Sequence, residues 1–251
     1  MKTLLEINGL RIFHKNSQKV ILRNITLNVN KGEIIALVGA SGSGKSLLAE
    51  ALFHVLPENI GYSGRMKVEN KEISPKLNGK EIVLIPQSVE ALDPLMKIGK
   101  QLQIFSQETN RINKVLEQLQ LPSSIFNRYP FQLSGGQARR VLVASALISS
   151  ASLIVADEPT PGLDEQARSE MLHLLKSVRS AERGMLMITH DFHAAMEAAD
   201  KIAVLHDGEI IELAVKTAFD KEGSRLRHPY TKALWDALPE NKFSLPGDPV
   251  C

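Results

Sequence analysis

The sequence predicts an α/β fold, in which helices cover a parallel β-sheet. Four short runs are apolar at nearly every position, as expected of strands buried on both faces of such a sheet. They span residues 34–39, 81–87, 152–158 and 185–190. Stretches with helical spacing separate these runs, and this alternation of strands and helices is typical of α/β domains.

The N-terminal third of the chain predicts a small β lobe followed by the first helix. Residues 4–12 and 20–29 alternate apolar and polar side chains, which favours two half-exposed strands. After the apolar run 34–39 comes a glycine-rich turn, and residues 46–56 then have helical spacing until Pro57. We therefore expect a strand, a turn and a helix in direct succession.

The middle and the end of the chain predict a helical insertion and a closing hairpin. Between residues 92 and 121 the pattern is helical and polar, and we interpret about 88–150 as a helical lobe inserted into the sheet domain. Asp207-Gly208 separates two apolar runs and predicts a β-hairpin. We expect one domain over residues 1–251, with a short C-terminal extension from about residue 215.

Composition excludes several classes of protein. The 251 residues are 43% hydrophobic and 23% charged, as in an ordinary globular protein with a sizeable core. The net charge of +2 gives no electrostatic case for a nucleic-acid partner. The single cysteine, Cys251, can build neither a disulfide framework nor a cysteine metal cluster, and this fits a reducing compartment. Without a secretory leader or a run of about 18 apolar residues, we expect a cytosolic chain that reaches a membrane only through partners.

The glycine-rich turn GASGSGKS predicts a nucleotide site. It fits the pattern G-x-x-x-x-G-K-[ST] and lies between a buried strand and a helix, as a phosphate-binding loop requires. Glycines let backbone N–H groups face a polyphosphate, and the helix adds its positive end. We predict that Lys45 reaches the β- and γ-phosphates and that Ser46 ligates Mg²⁺. The predicted loop residues are Gly39, Ala40, Ser41, Gly42, Ser43, Gly44, Lys45, Ser46 and Leu47.

Two adjacent carboxylates, Asp157 and Glu158, end the third apolar run. Side chains alternate along a strand, so the two groups point in different directions. Asp157 can hold the magnesium shell while Glu158 polarises an attacking water as general base. The alternative is a pair of loop carboxylates that cap a helix. The phosphate loop upstream favours the catalytic interpretation.

Three further motifs carry a family resemblance. LSGGQ at 133–137, ADEPT at 156–160 and ITHD at 188–191, together with the phosphate loop, resemble the nucleotide-binding domain of an ABC transporter. The resemblance implies a P-loop NTPase fold with a RecA-like core, an N-terminal antiparallel β lobe and an inserted helical lobe. It also implies a head-to-tail dimer, in which each LSGGQ contacts the ATP held by the other phosphate loop. A helix that starts near Ser134 has free N–H groups suited to that γ-phosphate, so we assign this contact to Ser134, Gly135, Gly136 and Gln137.

The resemblance also assigns roles to single residues. Gln87 resembles the Q-loop glutamine, which reaches the metal and the attacking water and senses the membrane partner. His190 resembles the switch histidine that contacts the γ-phosphate, and Asp164 the D-loop aspartate. Phe13 lies where the family places an aromatic ring on adenine, but a core phenylalanine explains it nearly as well. The implied catalytic set is Lys45, Gln87, Glu158 and His190, and the implied metal set is Ser46, Gln87 and Asp157.

Two positions depart from the family pattern. Pro161-Gly162 stands where Ser-Ala commonly precedes Leu-Asp, and Arg139 stands where a glutamine is usual. The first departure bears on the geometry of the D-loop and so on communication between the two sites of a dimer.

Two segments narrow the branch of the family. SVEALDPLMKIGKQL after Gln87 and RHPYTKALWDALPE at 227–240 resemble ATPases that serve dipeptide, oligopeptide and nickel importers. The second segment also predicts an amphipathic helix over 230–238 that packs Leu234 and Trp235 onto the sheet domain. The short tail with its single cysteine favours nickel, cobalt or a metal chelate as cargo, with peptides as the alternative.

The resemblance implies an ATPase that powers an importer with ATP and Mg²⁺ from the cytoplasmic face of the cell membrane. The implied partners are a second ABC ATPase subunit (a paralogue or a second copy), two transmembrane permease subunits and an extracytoplasmic substrate-binding protein. A soluble ABC ATPase outside transport is a remote alternative. A chromosome-repair ATPase would need a long coiled coil between residues 46 and 133, and only a compact segment lies there.

Overall fold

The computed structural model describes residues 2–220 and 223–238, and these ranges contain two β-sheets. The strands are β1 (Thr3–His14), β2 (Val20–Asn30), β3 (Ile34–Gly39), β4 (Ile60–Val68), β5 (Lys71–Glu72), β6 (Ile82–Ile85), β7 (Leu153–Asp157), β8 (Gly184–Thr189), β9 (Lys201–His206) and β10 (Glu209–Val215). The helices are α1 (Lys45–Phe53), α2 (Ile98–Gln103), α3 (Thr109–Gln118), α4 (Gly135–Ile148), α5 (Glu165–Val178), α6 (Phe192–Ala198) and α7 (Pro229–Asp236). Short 3₁₀ turns join several of them.

The smaller sheet forms the N-terminal β lobe, with strand order β2-β1-β4-β5. β1 pairs antiparallel with both β2 and β4. The two predicted strands lie within β1 and β2, so the expected antiparallel lobe is confirmed. β4 was not predicted, although it supplies one whole edge of β1.

The larger sheet has the order β10-β9-β3-β8-β7-β6. β3 is parallel to β8 and β9, and β7 is parallel to β8 and β6. The four predicted apolar runs correspond to β3, β6, β7 and β8, which confirms the α/β class. The predicted hairpin joins β9 to β10 through Asp207 (φ 46°) and Gly208 (φ 79°), and positive φ at both positions is the geometry of a tight hairpin turn.

The central sheet separates two hydrophobic cores. Along β3 the side chains of Ile34, Ala36 and Val38 enter one core, whereas Ile35 and Leu37 enter the other. Successive side chains of a strand point to opposite faces, so a strand covered on both sides must be apolar throughout. Helices α2 to α7 lie on the first face, and α1 with the β lobe lies on the second.

Two predicted helices differ slightly from those observed: α7 spans Pro229–Asp236 where 230–238 was predicted, and α1 is shorter than expected. α1 ends at Phe53 and not at Leu56, because His54 takes a left-handed conformation (φ 56°) as the C-cap. The stretch 88–150 is fully described and has α2, α3 and α4 with no strand, as predicted for a helical lobe. Its limits as a separate domain stay a prediction.

The C-terminal helix α7 packs on the first core, as predicted. Trp235 is buried, and its ring centroid lies 5.6 Å from those of both Phe192 and Phe219. Its indole Nε1 donates a hydrogen bond to the carbonyl oxygen of Asp220 at 2.8 Å, and Leu234 packs against the same core. The remainder of the predicted extension, 239–251 with Cys251, lies outside the described residues.

Within the described ranges, no helix combines the length and the apolar character needed to cross a membrane.

Candidate functional site

The candidate site lies at the carboxyl ends of three neighbouring strands. β3 ends at Gly39, β7 at Asp157 and β8 at Thr189, and the order β3-β8-β7 puts these ends side by side. Ligands of open α/β sheets bind at this edge, because the loops after the strands converge there. The loops here are the phosphate loop (residues 39–46), the turn after Glu158 and the turn at His190.

The phosphate loop has the backbone geometry that its glycines predict. Gly44 has φ 99° and is the N-cap of α1, a left-handed conformation that other residues rarely adopt. At Gly39 a Cβ atom would lie 2.6 Å from the carbonyl oxygen of Leu205 on β9, so no side chain fits there. Gly39 thus lets the loop pack directly against β9, and the loop leads into the N-terminus of α1, where backbone N–H groups suit a polyphosphate.

Lys45 is buried, with 6% of its surface exposed. Its ammonium Nζ donates hydrogen bonds to the carbonyl oxygens of Gly39 at 2.8 Å and Ala40 at 3.1 Å, and it lies 4.0 Å from Oε1 of Glu158. Burial lowers the pKa of Lys45, while the carboxylates of Glu158 and Asp157 oppose that shift. The structure thus holds a cation inside the loop, where it can neutralise phosphate charge.

Glu158 occupies an uncommon backbone conformation at the end of β7. Its φ of 44° is in the left-handed region, where non-glycine residues are infrequent and cluster at functional sites. Its N–H donates to the carbonyl oxygen of Ile188 at 2.8 Å. The side chain is 10% exposed, and its Oε2 accepts from Thr189 Oγ1 at 3.3 Å and lies 2.9 Å from His190 Nδ1.

The structure contradicts the alternative in which Asp157 and Glu158 cap a helix. The next helix, α5, has Asp164 as its N-cap, and the Asp164 carboxylate accepts from Ala167 N at 2.8 Å. Asp157 and Glu158 instead lie at the strand edge, with Glu158 bound to Thr189 and near Lys45.

Asp157 has a buried carboxylate oxygen, Oδ1, with no hydrogen-bond partner among the described residues. Burial raises the pKa of Asp157 to about 6, the Glu158 carboxylate adds to this rise, and Lys45 opposes it. A partly desolvated carboxylate with a free oxygen, together with the Ser46 hydroxyl, is the kind of oxygen donor set that Mg²⁺ prefers. These residues therefore fit the magnesium ion that the fold implies.

The raised pKa of Asp157 predicts a pH-dependent stability of the nucleotide-free protein. The folded-state value of about 6 lies above the usual 3.8, so the protonated form stabilises the fold fully below about pH 4. This contribution is lost as the pH rises through about 6. We expect Asp157→Asn to raise the free energy of unfolding at pH 7.5 by roughly 1–3 kcal/mol, and by much less at pH 4.5.

Urea unfolding at both pH values, without nucleotide or metal, measures this difference. Asp236→Asn is the matched control because it alters an exposed carboxylate on α7. If Asp157→Asn changed the free energy of unfolding equally at both pH values, burial of the ionised carboxylate would not destabilise the fold.

One cavity of about 360 Å³ brings the predicted residues together from separate parts of the chain. Its lining is Ile21, Ser41, Gly42, Gly44, Lys45, Ser46, Leu47, Gln87, Glu158 and His190. Ile21 was not predicted from the sequence, because its side chain has no polar group that would indicate a binding site. Thr189 was also not predicted, although its hydroxyl stands at the end of an apolar run beside His190 and could have been noticed.

Phe13 does not line this Lys45 cavity. Its half-buried ring packs over Gly61 of β4, where a Cβ atom would lie 3.0 Å from it, and the guanidinium of Arg11 lies 5.3 Å from the ring centroid. Both the adenine contact and the core alternative remain predictions.

The LSGGQ turn (residues 133–137) contributes no residue to the Lys45 cavity of the same chain. Ser134 is the N-cap of α4, and its Oγ accepts from Gln137 N at 3.2 Å. In return the Gln137 side chain accepts from Ser134 N at 3.2 Å, which completes a capping box. Gly135 and Gly136 are exposed. The two glycines of this turn thus lie at the surface, outside the Lys45 cavity.

The parallel sheet, the phosphate loop and the Asp-Glu pair at the strand edge together define a P-loop nucleotide hydrolase. The sequence profile of the ABC transporter family matches residues 22–161, which is more than half of the chain. The chain belongs to this family, and it is an ATPase of the kind whose hydrolysis is coupled to transport.

Individual relatives agree with this assignment. The oligopeptide transport ATP-binding protein OppD of Bacillus subtilis (strain 168) is 32% identical in an alignment of 277 positions, which covers 98% of this chain and 76% of OppD. The glutathione import ATP-binding protein GsiA of Salmonella choleraesuis (strain SC-B67) is 33% identical over 95% of this chain and 42% of GsiA. Among solved structures, the dimeric cassette MJ0796 in a post-hydrolysis state bound to ADP and Pi has a TM-score of 0.71 and 26% identity, over 85% of this chain and 99% of MJ0796.

Proposed function

We propose that this chain is the ATP-hydrolysing subunit of an ABC importer that takes up small peptides. The observation that carries the proposal is the Lys45 cavity, which joins a buried ammonium group to Ser46, Gln87, Glu158 and His190. The relatives OppD and GsiA are named for oligopeptide transport and glutathione import, and glutathione is itself a tripeptide. They support the importer and its peptide cargo.

The expected preference for nickel, cobalt or a metal chelate has no support from these relatives, and the peptide alternative fits them better. That preference rested on the length and single cysteine of the C-terminal tail. In an importer the ATPase does not touch the cargo, so the tail is weak evidence for what is carried.

The residues of the site can each perform one part of ATP hydrolysis. The phosphate loop and the N-terminus of α1 hold the phosphate chain, and Lys45 neutralises the charge that shifts between the β- and γ-phosphates. Glu158 accepts the proton of the attacking water, and His190, 2.9 Å from its carboxylate, keeps that oxygen oriented. Mg²⁺, when bound by Ser46, Gln87 and Asp157, supplies positive charge at the phosphate oxygens.

A second ATPase subunit completes each site in this proposal. The N–H groups of the exposed Gly135 and Gly136 begin the 14-residue helix α4, whose N-cap is Ser134, and they suit the γ-phosphate of ATP bound to a facing chain. The dimeric state of MJ0796 supports this arrangement. Asp164 follows the turn that would face the partner, which is either a paralogue or a second copy.

The permease subunits are proposed to dock on the helical lobe beside Gln87. Leu95 and Ile104 are 88% and 71% exposed on this surface. Ile104 lines an apolar cavity of about 360 Å³ together with Leu92, Phe105 and Val141. Exposed apolar surface of this kind marks protein contacts. Docking here would place the chain at the cytoplasmic face of the membrane, opposite an extracytoplasmic substrate-binding protein.

Uptake by cells that make the chain natively tests the proposal. We expect in-frame deletion of the gene to abolish uptake of a labelled tripeptide and to leave uptake of radioactive nickel unchanged. The wild-type gene should restore peptide uptake, whereas a Glu158→Gln gene, which gives a folded but inactive subunit, should not. Loss of nickel uptake alone would replace the peptide cargo with a metal. Unchanged uptake of both would favour the soluble, non-transport alternative.

A further inference from the structure

Arg139 binds the backbone that follows the catalytic Glu158. This residue lies in the second turn of α4, and its guanidinium donates from Nη1 to the carbonyl oxygen of Pro159 at 3.2 Å and from Nη2 to that of Pro161 at 2.8 Å. The two carbonyls belong to the D-loop turn (residues 159–162). The planar guanidinium of Arg139 thus binds both ends of the segment 159–161, which lies 20 to 22 residues later in the chain.

The first half of the D-loop turn is buried at Pro159 and Thr160, and Leu163 N donates to the carbonyl oxygen of Thr160 at 3.3 Å, whereas the second half is less fixed. Pro159 and Pro161 have no N–H group, so neither can donate to a neighbouring carbonyl. Gly162 has φ 70°, and a Cβ atom there would meet nothing within 4 Å, so the turn is not held by packing at this point. The charged fork of Arg139 supplies two strong, oriented hydrogen bonds in their place, and neither lysine nor glutamine presents the same rigid pair of donors.

The position of Arg139 links two functional elements. Its helix begins at the LSGGQ turn, which is proposed to contact the ATP of the partner. The carbonyl that it binds at Pro159 belongs to the residue directly after Glu158, whose backbone is already in the left-handed region. A displacement of α4 by the ATP of the partner is therefore transmitted through this fork to the general base of the same chain.

We infer that Arg139 is a positioning residue that fixes the D-loop turn against α4 and so aligns Glu158 for hydrolysis. This inference rests on the proposed roles of Glu158 and of the LSGGQ turn. Arg139 does not line the Lys45 cavity and acts only through the turn. The inference also relates the two departures from the family pattern, Arg139 and Pro161-Gly162, to each other, because Arg139 binds the turn that contains Pro161-Gly162.

Steady-state hydrolysis by purified Arg139→Gln tests the inference. We expect kcat to fall about tenfold, the size of effect expected when one charge-assisted hydrogen bond is weakened, with KM for ATP within about threefold of wild type. The matched control is Arg140→Gln. Arg140 is the next residue of α4 and also reaches across to α5, but it binds the Glu170 side chain at 2.9 Å and not the D-loop turn. Its kcat should stay within about twofold, since a half-exposed ion pair contributes little.

A rescue variant separates positioning from simple stability. Arg139→Gln combined with Pro161→Ser removes the guanidinium and returns an N–H group to the turn, and it keeps Gly162, whose φ of 70° would strain an alanine. We expect this double variant to recover kcat to within about threefold of wild type. The reason is that Pro161→Ser restores a backbone N–H group, so the turn gains a hydrogen-bond donor of its own and depends less on the guanidinium fork.

Several outcomes would overturn the inference. They are wild-type kcat in Arg139→Gln, an equal kcat loss in Arg140→Gln, or an Arg139→Gln/Pro161→Ser variant no faster than Arg139→Gln. A kcat loss that simply follows a lowered melting temperature across the variants would likewise reduce Arg139 to a structural role. Wild-type protein and Glu158→Gln are measured in the same assay. If these two hydrolysed ATP at the same rate, the proposed general base would be the part that fails.

Discussion

Lys45→Ala is expected to abolish ATP binding and, with it, hydrolysis. The Lys45 ammonium is the one buried cation in the Lys45 cavity, held by two loop carbonyls. A unit charge about 4 Å from a phosphate oxygen contributes about 4 kcal/mol at an effective dielectric constant near 20, or about a thousandfold in affinity. Titration calorimetry with Mg-ATP measures this loss.

Lys31→Ala is the control for the Lys45 substitution. Lys31 lies in the turn before β3, at the opposite edge of the sheet, and forms ion pairs with Glu69 at 2.8 Å and Glu182 at 2.6 Å. Removing it deletes a lysine without touching the phosphate loop, so the ATP affinity should not change. If Lys45→Ala bound ATP as tightly as the Lys31 variant, the loop would not be the nucleotide site.

Glu158→Gln is expected to bind ATP normally, to lose hydrolysis and to accumulate as a closed dimer with Mg-ATP. Glutamine has the shape of glutamate but cannot accept a proton from water, and general-base catalysis contributes about a hundredfold to ten-thousandfold in rate. Loss of a negative charge near the γ-phosphate also favours the closed state. Phosphate release and light scattering with and without Mg-ATP measure both effects.

Glu165→Gln is the matched control, because Glu165 is an exposed carboxylate in the first turn of α5. It should hydrolyse ATP at the wild-type rate and should not accumulate as a dimer. Wild-type hydrolysis by Glu158→Gln would contradict the general-base assignment. A monomeric Glu158→Gln with bound Mg-ATP would contradict the head-to-tail arrangement.

The buried strands were predictable because burial on both faces leaves a continuous apolar run. β3, β7 and β8 agree with their predicted positions to within one residue at each end. β4 was not predicted because its middle residues, Tyr62 to Arg65, are all exposed, and one of them, Gly64, has no side chain. Its sequence has neither the apolar–polar alternation of a half-buried strand nor the continuous apolar run of a buried one. It forms because its backbone pairs with the free edge of β1.

The local parts of the site were predictable, and the contacts between distant parts were not. The phosphate loop and the Asp157-Glu158 pair are short motifs whose spacing carries their chemistry. The contact of His190 with Glu158 joins residues 32 positions apart, and that of Arg139 with Pro161 joins residues 22 apart. Such contacts depend on the order of strands in the sheet and on the path of α4, which no local pattern specifies. For the same reason the role of Phe13 could not be decided from its strand alone.

The chain carries its own optical reporter. Trp235 is the single tryptophan of the sequence, and its indole lies against Phe192, the residue at which α6 begins, two positions after His190. Indole emission responds to the polarity and packing of its surroundings. A movement of the His190 turn on nucleotide binding would therefore change the intrinsic fluorescence of the protein through one aromatic contact, without any attached dye.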